Sequence, residues 1–282
     1  MPIDLPYLEQ WVGKQESAHD QIYPTPVRAL ALSLNQDDAA ILTSPLRPLW
    51  HWLYFLPMSP LAEAGPDGHP ERGGFLPPVP LPRRMWASSE LSFHEPIAIG
   101  DRLQRTSTIQ SVTHKKGRSG DLVFVSVMHH MHRDSTLCIE EVHHIVYRNL
   151  PDADVPPPAP PAAPTNADWS RSITPDPVLL FRYSALTFNS HRIHYDAPYT
   201  QKVEGYPGLV VHGPLIATLL LDLLHEHLPH ATVKQYQFRA ISPTFCPDTF
   251  SIHGRLDADG TTVQLWAAHQ NGGLIMSAQA TI

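Results

Sequence analysis

Alternating apolar and polar positions divide this chain into two halves with the same order of elements. Short β-rich runs, separated by glycine, aspartate and serine clusters, predict antiparallel strands. In the first half, the predicted strands are residues 91–93, 103–112, 122–131 and 137–147. In the second half, they are residues 178–183, 233–238, 250–256, 262–269 and 274–282. The return of the same pattern indicates that one structural unit is present twice.

A leucine-rich helix precedes the main group of four strands in each half. Thr25 and Pro26 provide an N-cap and a first-turn proline for a helix over residues 27–34. Pro214 begins a second apolar helix, which extends to Leu228. A helix followed by four antiparallel strands, repeated once, predicts an α+β fold.

Two proline-rich segments connect these elements. Residues 64–82 cannot form a helix or a central strand, and their length indicates a lid or a binding segment. Residues 151–164 read as an extended linker. The predicted division is an N-terminal domain of residues 1–150, a linker of residues 151–165 and a C-terminal domain of residues 166–282.

Composition excludes several classes of function. The net charge of −7 and the lack of a basic block argue against nucleic acid as a partner. Two cysteines are too few for a disulfide framework, so a reducing, cytoplasmic location is predicted. The longest apolar run, residues 215–224, is too short to span a membrane. Histidines 129, 130 and 132 alternate between the faces of a predicted strand, so no metal site is expected.

Five polar residues lie within eight positions of the second half. They are Asn189, His191, Arg192, His194 and Asp196. Further along, His212 and Gly213 directly precede the apolar helix. A histidine can remove a proton while the N-terminal amides of a helix stabilise a developing negative charge. The pattern therefore predicts a catalytic base that faces an anion-stabilising backbone.

This segment resembles the MaoC-like hydratases and dehydratases. Their motif is an aspartate, two residues later asparagine and proline, then one residue and a histidine, with a later histidine–glycine pair. Here His194 and Gly213 match the histidine and the glycine, whereas Asn189 stands at the aspartate position. Residues 183–196 and 203–214 are most similar to the branch of type 2 hydroxyacyl-thioester dehydratases and mesaconyl-CoA and itaconyl-CoA hydratases. The resemblance implies a double hot-dog fold, with two antiparallel sheets each wrapped around a central helix and a degenerate first unit.

The resemblance also implies an activity. We expect an enoyl-CoA hydratase that adds water to a short branched or dicarboxylic acyl-CoA, such as itaconyl-CoA or mesaconyl-CoA, to give citramalyl-CoA. His194 is the expected base, Gly213 supplies the oxyanion-binding amide, and Asn189 positions water. His191 and His212 are expected to contact the substrate. No cofactor is expected, because CoA is part of the substrate.

The arginines bear on the substrate class. Arg182 and Arg192 flank the motif, and either could bind a free carboxylate of the acyl group, a CoA phosphate or a surface carboxylate. Arg83 and Arg84 are candidates for the CoA phosphates. The aromatic residues 50–55 form either a core element or part of an acyl pocket.

Three alternatives to the hydratase remain at this point. They are a 3-hydroxyacyl-thioester dehydratase of fatty-acid synthesis acting on acyl carrier protein, a hot-dog thioesterase, and a non-catalytic acyl-CoA binder. Hot-dog units pair, and two units in one chain satisfy that pairing internally. A monomer and a homodimer of double units are therefore both open.

Overall fold

A computed structural model describes residues 3–117, 120–150 and 158–282 of the chain. The strands are β1 Gln15–Gln21, β2 Arg83–Phe93, β3 Arg102–Gly117, β4 Gly120–Arg133, β5 Thr136–Arg148, β6 Trp169–Ile173, β7 Leu209–Val210, β8 Gln235–Ala240, β9 Phe245–Cys246, β10 Phe250–Leu256, β11 Thr262–His269 and β12 Leu274–Thr281. The α-helices are α1 Leu5–Leu8, α2 Pro24–Ser33, α3 Asp38–Leu42, α4 Pro177–Leu186, α5 Ala197–Lys202 and α6 Gly213–His227.

Ten of these strands form one continuous antiparallel sheet. Their order is β1-β3-β4-β5-β2-β8-β12-β11-β10-β6. Strands β1 to β5 therefore occupy one half of the sheet, and β6, β8, β10, β11 and β12 repeat their order as a mirror image in the other half, while β7 and β9 form a separate pair. The two halves join where β2 pairs with β8, for example at Ser89 opposite Phe238. The repeated order confirms that the chain contains the same antiparallel strand arrangement twice.

Helix α6 forms the core of the second half. Pro214 lies in its first turn, where the missing N–H costs no hydrogen bond. All ten residues from Leu215 to Leu224 are buried, so the helix is enclosed on every side. Complete burial of each leucine contributes about 1.5–3 kcal/mol. The helix packs against β6, β10, β11 and β12, and this packing fixes the position of its N-terminus.

The first half is organised differently. Its helix α2 packs against α3 and against α4 of the second half. The aromatic residues 50–55 contribute a buried 3-10 turn, Trp50–Leu53, and the side chains of Trp50, Tyr54 and Phe55 belong to the main core. The core alternative for this segment is confirmed.

The predicted strand at residues 178–183 is wrong, because this segment lies in helix α4. The Asp176 carboxylate accepts a hydrogen bond from the Leu179 N–H at 2.8 Å, and Pro177 occupies the first turn. These are helix-start signals. A run of five apolar residues and one arginine is compatible with a strand or with a buried helical turn, so the pattern alone does not separate them. Tyr183 and Ser184 therefore lie on a helix.

Two strands of the large sheet were not predicted. They are β1 and β6, which form the two edges of the sheet. Edge strands are often polar, since one side of their backbone faces solvent. The sequence of β1, Q-E-S-A-H-D-Q, has no apolar alternation that could have identified it.

The structure describes all of the proline-rich segment 64–82 but only part of the predicted linker 151–165. No helix or strand forms between Glu63 and Arg83, as predicted. Residues 65–68 form a tight turn in which the Gly68 N–H donates to the Gly65 carbonyl at 2.9 Å. Residues 151–157 of the predicted linker lie outside the described residues. Among the helices that are described, none is long and apolar enough to cross a membrane.

Candidate active site

His194 lies in a 3-10 turn, Arg192–His194, beneath the start of helix α6. Its Nδ1–H donates to the Val210 carbonyl at 2.7 Å, which leaves the lone pair on Nε2. The residue is 7% exposed, yet Nε2 has no hydrogen-bond partner among the described residues and is not sealed from solvent. Burial lowers the pKa of His194 to about 4. The side chain is therefore a neutral imidazole with an open, basic nitrogen at pH 7.

His212 holds His194 in place against the helix. The two rings stack with their centroids 3.6 Å apart and their planes inclined by 16°. Nε2 of His212 forms a hydrogen bond of 2.8 Å with the Ser184 hydroxyl, so helix α4 anchors this ring. Burial, followed by the neighbouring His194 and His191, keeps the pKa of His212 well below its usual value.

Gly213 begins α6 immediately after His212. Its backbone N–H has no partner among the described residues, as is usual in the first turn of a helix. A Cβ atom added at this position would approach only Met276 Cε, at 3.9 Å. The protein itself therefore leaves room for a side chain here. The glycine keeps the space in front of a positively polarised helix end open to a ligand.

Asn189 follows helix α4 and uses its side chain to shape the next turn. Its Oδ1 accepts a hydrogen bond from the His191 N–H at 3.0 Å. Because the donor is a backbone N–H, the carboxamide oxygen must face it, and Nδ2 points the other way. Asn189 therefore presents a hydrogen-bond donor to its surroundings, and one of the two lone pairs of its oxygen is already used.

His191 connects the motif to the first half of the chain. Its ring lies 5.6 Å from that of His194 and 4.2 Å from that of His69, between ring centroids. His69 in turn shares a hydrogen bond of 3.0 Å between its Nδ1 and Asp67 Oδ2. Asp67 and His69 belong to the proline-rich segment 64–82. Sequence reasoning identified the segment as a lid or a binding element but did not assign these two residues.

The four candidate arginines have different surroundings. Arg192 pairs with Asp196 at 2.7 Å, and its guanidinium lies 4.0 Å from the centre of the Tyr199 ring. Arg83 is buried and pairs with Glu204 at 3.1 Å. Arg182 is exposed on α4.

Arg84 differs from Arg83 and Arg192, since it has no carboxylate partner among the described residues. It lies on β2 opposite Tyr147. Its positive charge contributes to lowering the pKa of both His69 and His191, for which burial is the largest cause. Arg84 is therefore the candidate arginine whose charge acts on the histidine cluster. Its assignment to the CoA phosphates stays a prediction.

Asp67, His69 and His191 also meet a geometric requirement for metal binding. Each offers one ligand atom, and the three atoms lie within 4.8 Å of one another. The sequence predicts no metal. Within the described chain, a metal-binding measurement on these three residues can test that prediction.

Comparison with known proteins places these residues in a family. The profile of the family described as "Hydroxyacyl-thioester dehydratase type 2" matches residues 49–246. The chain is 46% identical over 270 residues to mesaconyl-C(4)-CoA hydratase of Chloroflexus aurantiacus, and the match covers 95% of each chain.

Solved structures support the same fold. A MaoC-like dehydratase from Phytophthora capsici superposes with a TM-score of 0.70 at 14% identity, over 99% of this chain and 97% of the other. A Mycobacterium tuberculosis protein with a double hot-dog fold superposes with a TM-score of 0.56 at 16% identity, over 96% of each chain. The predicted double hot-dog fold is thus confirmed. The chain belongs to the type 2 hydroxyacyl-thioester dehydratase family and is a hydro-lyase of the hydratase and dehydratase class.

Proposed function

We propose that this protein hydrates the carbon–carbon double bond of a mesaconyl-C(4)-CoA-like thioester to give citramalyl-CoA. The observation that carries the proposal is the open Nε2 of His194 next to the free N-terminal amide of α6. The high identity to the Chloroflexus hydratase along nearly the whole chain supports this acyl group.

His194 acts as the base in this proposal. Its Nε2 removes one proton from a water molecule while the water oxygen attacks the β-carbon of the acyl chain. The proton is then transferred from His194 to the α-carbon, which restores the neutral imidazole. A single histidine therefore serves as both base and acid. The hydrogen bond from Nδ1–H to Val210 keeps Nε2 as the reactive atom throughout the cycle.

Gly213 stabilises the intermediate charge. When water adds to the β-carbon, the double-bond electrons move to the thioester oxygen and form an enolate. The unpaired N–H of Gly213 and the positive end of α6 favour that negative charge. Because burial weakens solvent screening, such a preorganised donor is more effective here than it would be in water.

A dicarboxylic acyl group keeps one free carboxylate, the one that is not joined to CoA. This carboxylate needs a positive partner. Arg192 is already paired with Asp196, whereas Arg84 has no carboxylate partner within the described chain. The charge of Arg84 also acts on His191, close to the proposed base. These facts favour Arg84 over the exposed Arg182 for binding a dicarboxylic substrate.

The second candidate function is dehydration of a 3-hydroxyacyl thioester. The family description favours it, because it names a dehydratase. Dehydration is the reverse of the same chemistry, so the two functions differ in acyl group and carrier. A dehydratase for long acyl chains would need an apolar tunnel and no cation near the α- and β-carbons.

A turnover screen separates the two functions. Purified protein is assayed with the CoA esters of mesaconate (thioester at C4), itaconate and crotonate, and with crotonyl-acyl carrier protein. We expect the dicarboxylic esters to react with a kcat/KM at least tenfold above that of crotonyl-CoA. Preference for crotonyl-acyl carrier protein would favour the dehydratase, and no turnover of any ester would contradict both.

Two wider features are also proposed. The free cysteines Cys138 and Cys246 are consistent with a reducing cytoplasmic location. The two units of the chain already pair through β2 and β8, so the protein functions as a monomer or as a homodimer of double units.

A further inference from the structure

The attacking water has a second O–H that His194 does not use. His194 removes one proton, and the other remains on the oxygen. In this chain, Asn189 replaces the aspartate of the related motif, and its carboxamide oxygen already accepts a hydrogen bond from the His191 N–H. That oxygen keeps one lone pair, and the amide nitrogen can only donate. A further acceptor near the site would therefore help to hold the water.

The turn at residues 65–68 of the first half is fixed against the catalytic motif. The Arg192 N–H donates to the Asp67 carbonyl at 2.9 Å, and the Ser190 hydroxyl donates to the Gly68 carbonyl. The Arg192 guanidinium also donates to the Pro66 carbonyl at 3.1 Å. Such direct backbone contacts hold the turn in one position. They bring Asp67 and His69 to His191.

Asp67 determines which nitrogen of His69 carries the proton. The Asp67 carboxylate accepts hydrogen bonds from the His69 N–H and from Nδ1–H, both at 3.0 Å. Burial opposes ionisation of Asp67, but the bonds to His69 hold its pKa below the usual range. With Nδ1 protonated, Nε2 of neutral His69 carries a lone pair. This is the same tautomer that the Val210 carbonyl imposes on His194.

The free nitrogen of His69 is open to a small molecule. It has no hydrogen-bond partner among the described residues and is not sealed from solvent. Only His191 separates His69 from His194 in the chain of ring contacts, with centroid distances of 4.2 and 5.6 Å. Two histidines with fixed tautomers and accessible Nε2 atoms therefore both contact the ring of His191.

A water molecule suits this region better than a metal ion does. Both oxygens of Asp67 already accept a hydrogen bond from His69, so a cation would compete with these bonds for the carboxylate. The unpaired positive charge of Arg84 acts on His69 and His191 and disfavours a second cation. A neutral water molecule or the hydroxyl group of the product is not repelled by this charge.

We propose that His69 is a further catalytic residue, whose Nε2 accepts the second O–H of the attacking water, and that Asp67 is its positioning residue. This inference rests on the proposed hydratase function. One O–H bond of water breaks as the proton moves to His194, and the oxygen bonds to the β-carbon. The second O–H bond stays intact and becomes the product hydroxyl. The hydrogen bond to His69 directs the oxygen lone pair toward the β-carbon.

Variants of His69 and Asp67 test the proposal. We expect His69→Ala to lower kcat with the best ester of the screen by about 100-fold, and Asp67→Asn to lower it by about tenfold, each with little change in KM. His253→Ala is the matched control, because this half-buried histidine on β10 bonds only to Ser251. Its kcat should stay within twofold of the wild type.

Adding Asn189→Asp to His69→Ala places a new acceptor oxygen beside the water. The double variant should recover about tenfold in kcat if the missing function is hydrogen-bond acceptance. Absence of recovery, or an unchanged kcat in His69→Ala, would overturn the role of His69 while leaving the hydratase function in place. Loss of wild-type activity after EDTA treatment would also overturn it in favour of a metal.

Nitrogen NMR of the wild type provides a test that does not depend on variants. His69 should show the Nδ1–H tautomer, and its Nε2 resonance should move when citramalyl-CoA binds. An unmoved resonance in the saturated complex would contradict the proposal. A wild type that turns over no ester would reject the hydratase function and this inference together.

Discussion

Two buried histidine clusters in this molecule use the same residue type for different purposes. The first-half cluster surrounds Glu141 on β5, and the second-half cluster surrounds His194. Glu141 is 1% exposed, and its carboxylate binds His51 at 3.0 Å, His143 at 2.6 Å and the Trp52 indole N–H at 3.1 Å. No carboxylate contacts His194 or His212 within the described chain.

The clusters also differ in the exposure of the histidine nitrogens that form no hydrogen bond. In the first-half cluster, Nδ1 of His51 and Nε2 of the adjacent His129 have no partner, and both are sealed from solvent. Nothing can react with them. In the second-half cluster, Nδ1 of His212 is sealed in the same way, but Nε2 of His194 is unpartnered and accessible. A buried histidine can thus meet a ligand only where one of its nitrogens remains open.

The two clusters also differ in the charge of their central residue. Burial opposes ionisation of Glu141, but His143 and His51 hold its pKa well below the usual range. The first-half cluster therefore contains a buried ion stabilised by its partners. In the second-half cluster, burial without an adjacent carboxylate keeps His194 neutral. A general base must be unprotonated before it can accept a proton.

The largest expected effect is on catalysis. His194→Ala should lower kcat by about 1,000-fold, because it removes the only proposed base, within the range of about 10²–10⁴ for such groups. Its thermal unfolding should change little by comparison. Steady-state kinetics with the best ester of the screen provide the measurement, and a loss of less than tenfold would contradict the assignment.

The corresponding change in the first-half cluster should affect stability instead. Glu141→Ala removes the carboxylate that satisfies three buried donors and should destabilise the fold by about 3–5 kcal/mol. Chemical denaturation followed by tryptophan fluorescence measures this change. The kcat per folded molecule should stay near the wild-type value, and a selective loss of kcat would show that this cluster contributes to the reaction.

Gly68→Ala tests whether the turn from the first half must stay fixed to the second-half cluster. Gly68 has a φ of +91°, and an added Cβ would lie 2.0 Å from the Ser190 carbonyl oxygen. The turn must therefore move, and we expect kcat to fall by at least tenfold, with about 2 kcal/mol of destabilisation. Gly13→Ala is the matched control, since its φ is +84° and no atom lies within 4 Å. An equal loss of activity in both variants would exclude a specific role for the turn.

The pH dependence of activity reports the state of His194. Because its pKa is about 4, kcat/KM should be constant from pH 5 to 8 and should fall as the pH drops through about 4. The unfolded histidine, with a pKa of about 6.5, binds protons more readily between these values, so this site contributes less stability as the pH falls from 6.5 to 4. An activity midpoint near 6.5 would show that His194 is not the buried base.

The smallest effect is expected at Asn189. In Asn189→Asp, one carboxylate oxygen can still accept the His191 N–H, so the turn is preserved. We expect kcat to remain within about tenfold of the wild type, because general-base work stays with His194. Parallel kinetics of the two proteins measure this, and complete inactivity would contradict the assignment of Asn189 as a non-titrating, positioning residue.

The strands and helices that the sequence predicts correctly are those with a buried apolar face. Eight strands and helix α6 were identified because their apolar residues repeat with the period of a buried surface. The edge strand β1 is almost entirely polar, and β6 has only two apolar residues, Trp169 and Ile173, so the pattern in each is weak. The sequence pattern predicts a strand within helix α4 because its five apolar residues fit either structure.

The local sequence by itself identified the candidate residues of the site: His194, Gly213 and the substitution at Asn189 are visible in the motif. Only the tertiary structure decided how they work. The tautomer of His194 depends on the Val210 carbonyl, and the anchoring of the His212 ring depends on Ser184 of helix α4. Asp67 and His69 come from more than 100 residues earlier, where the motif carries no information about them. Hydrogen bonds and burial across such separations arise from packing, and a sequence pattern reports only its immediate neighbours.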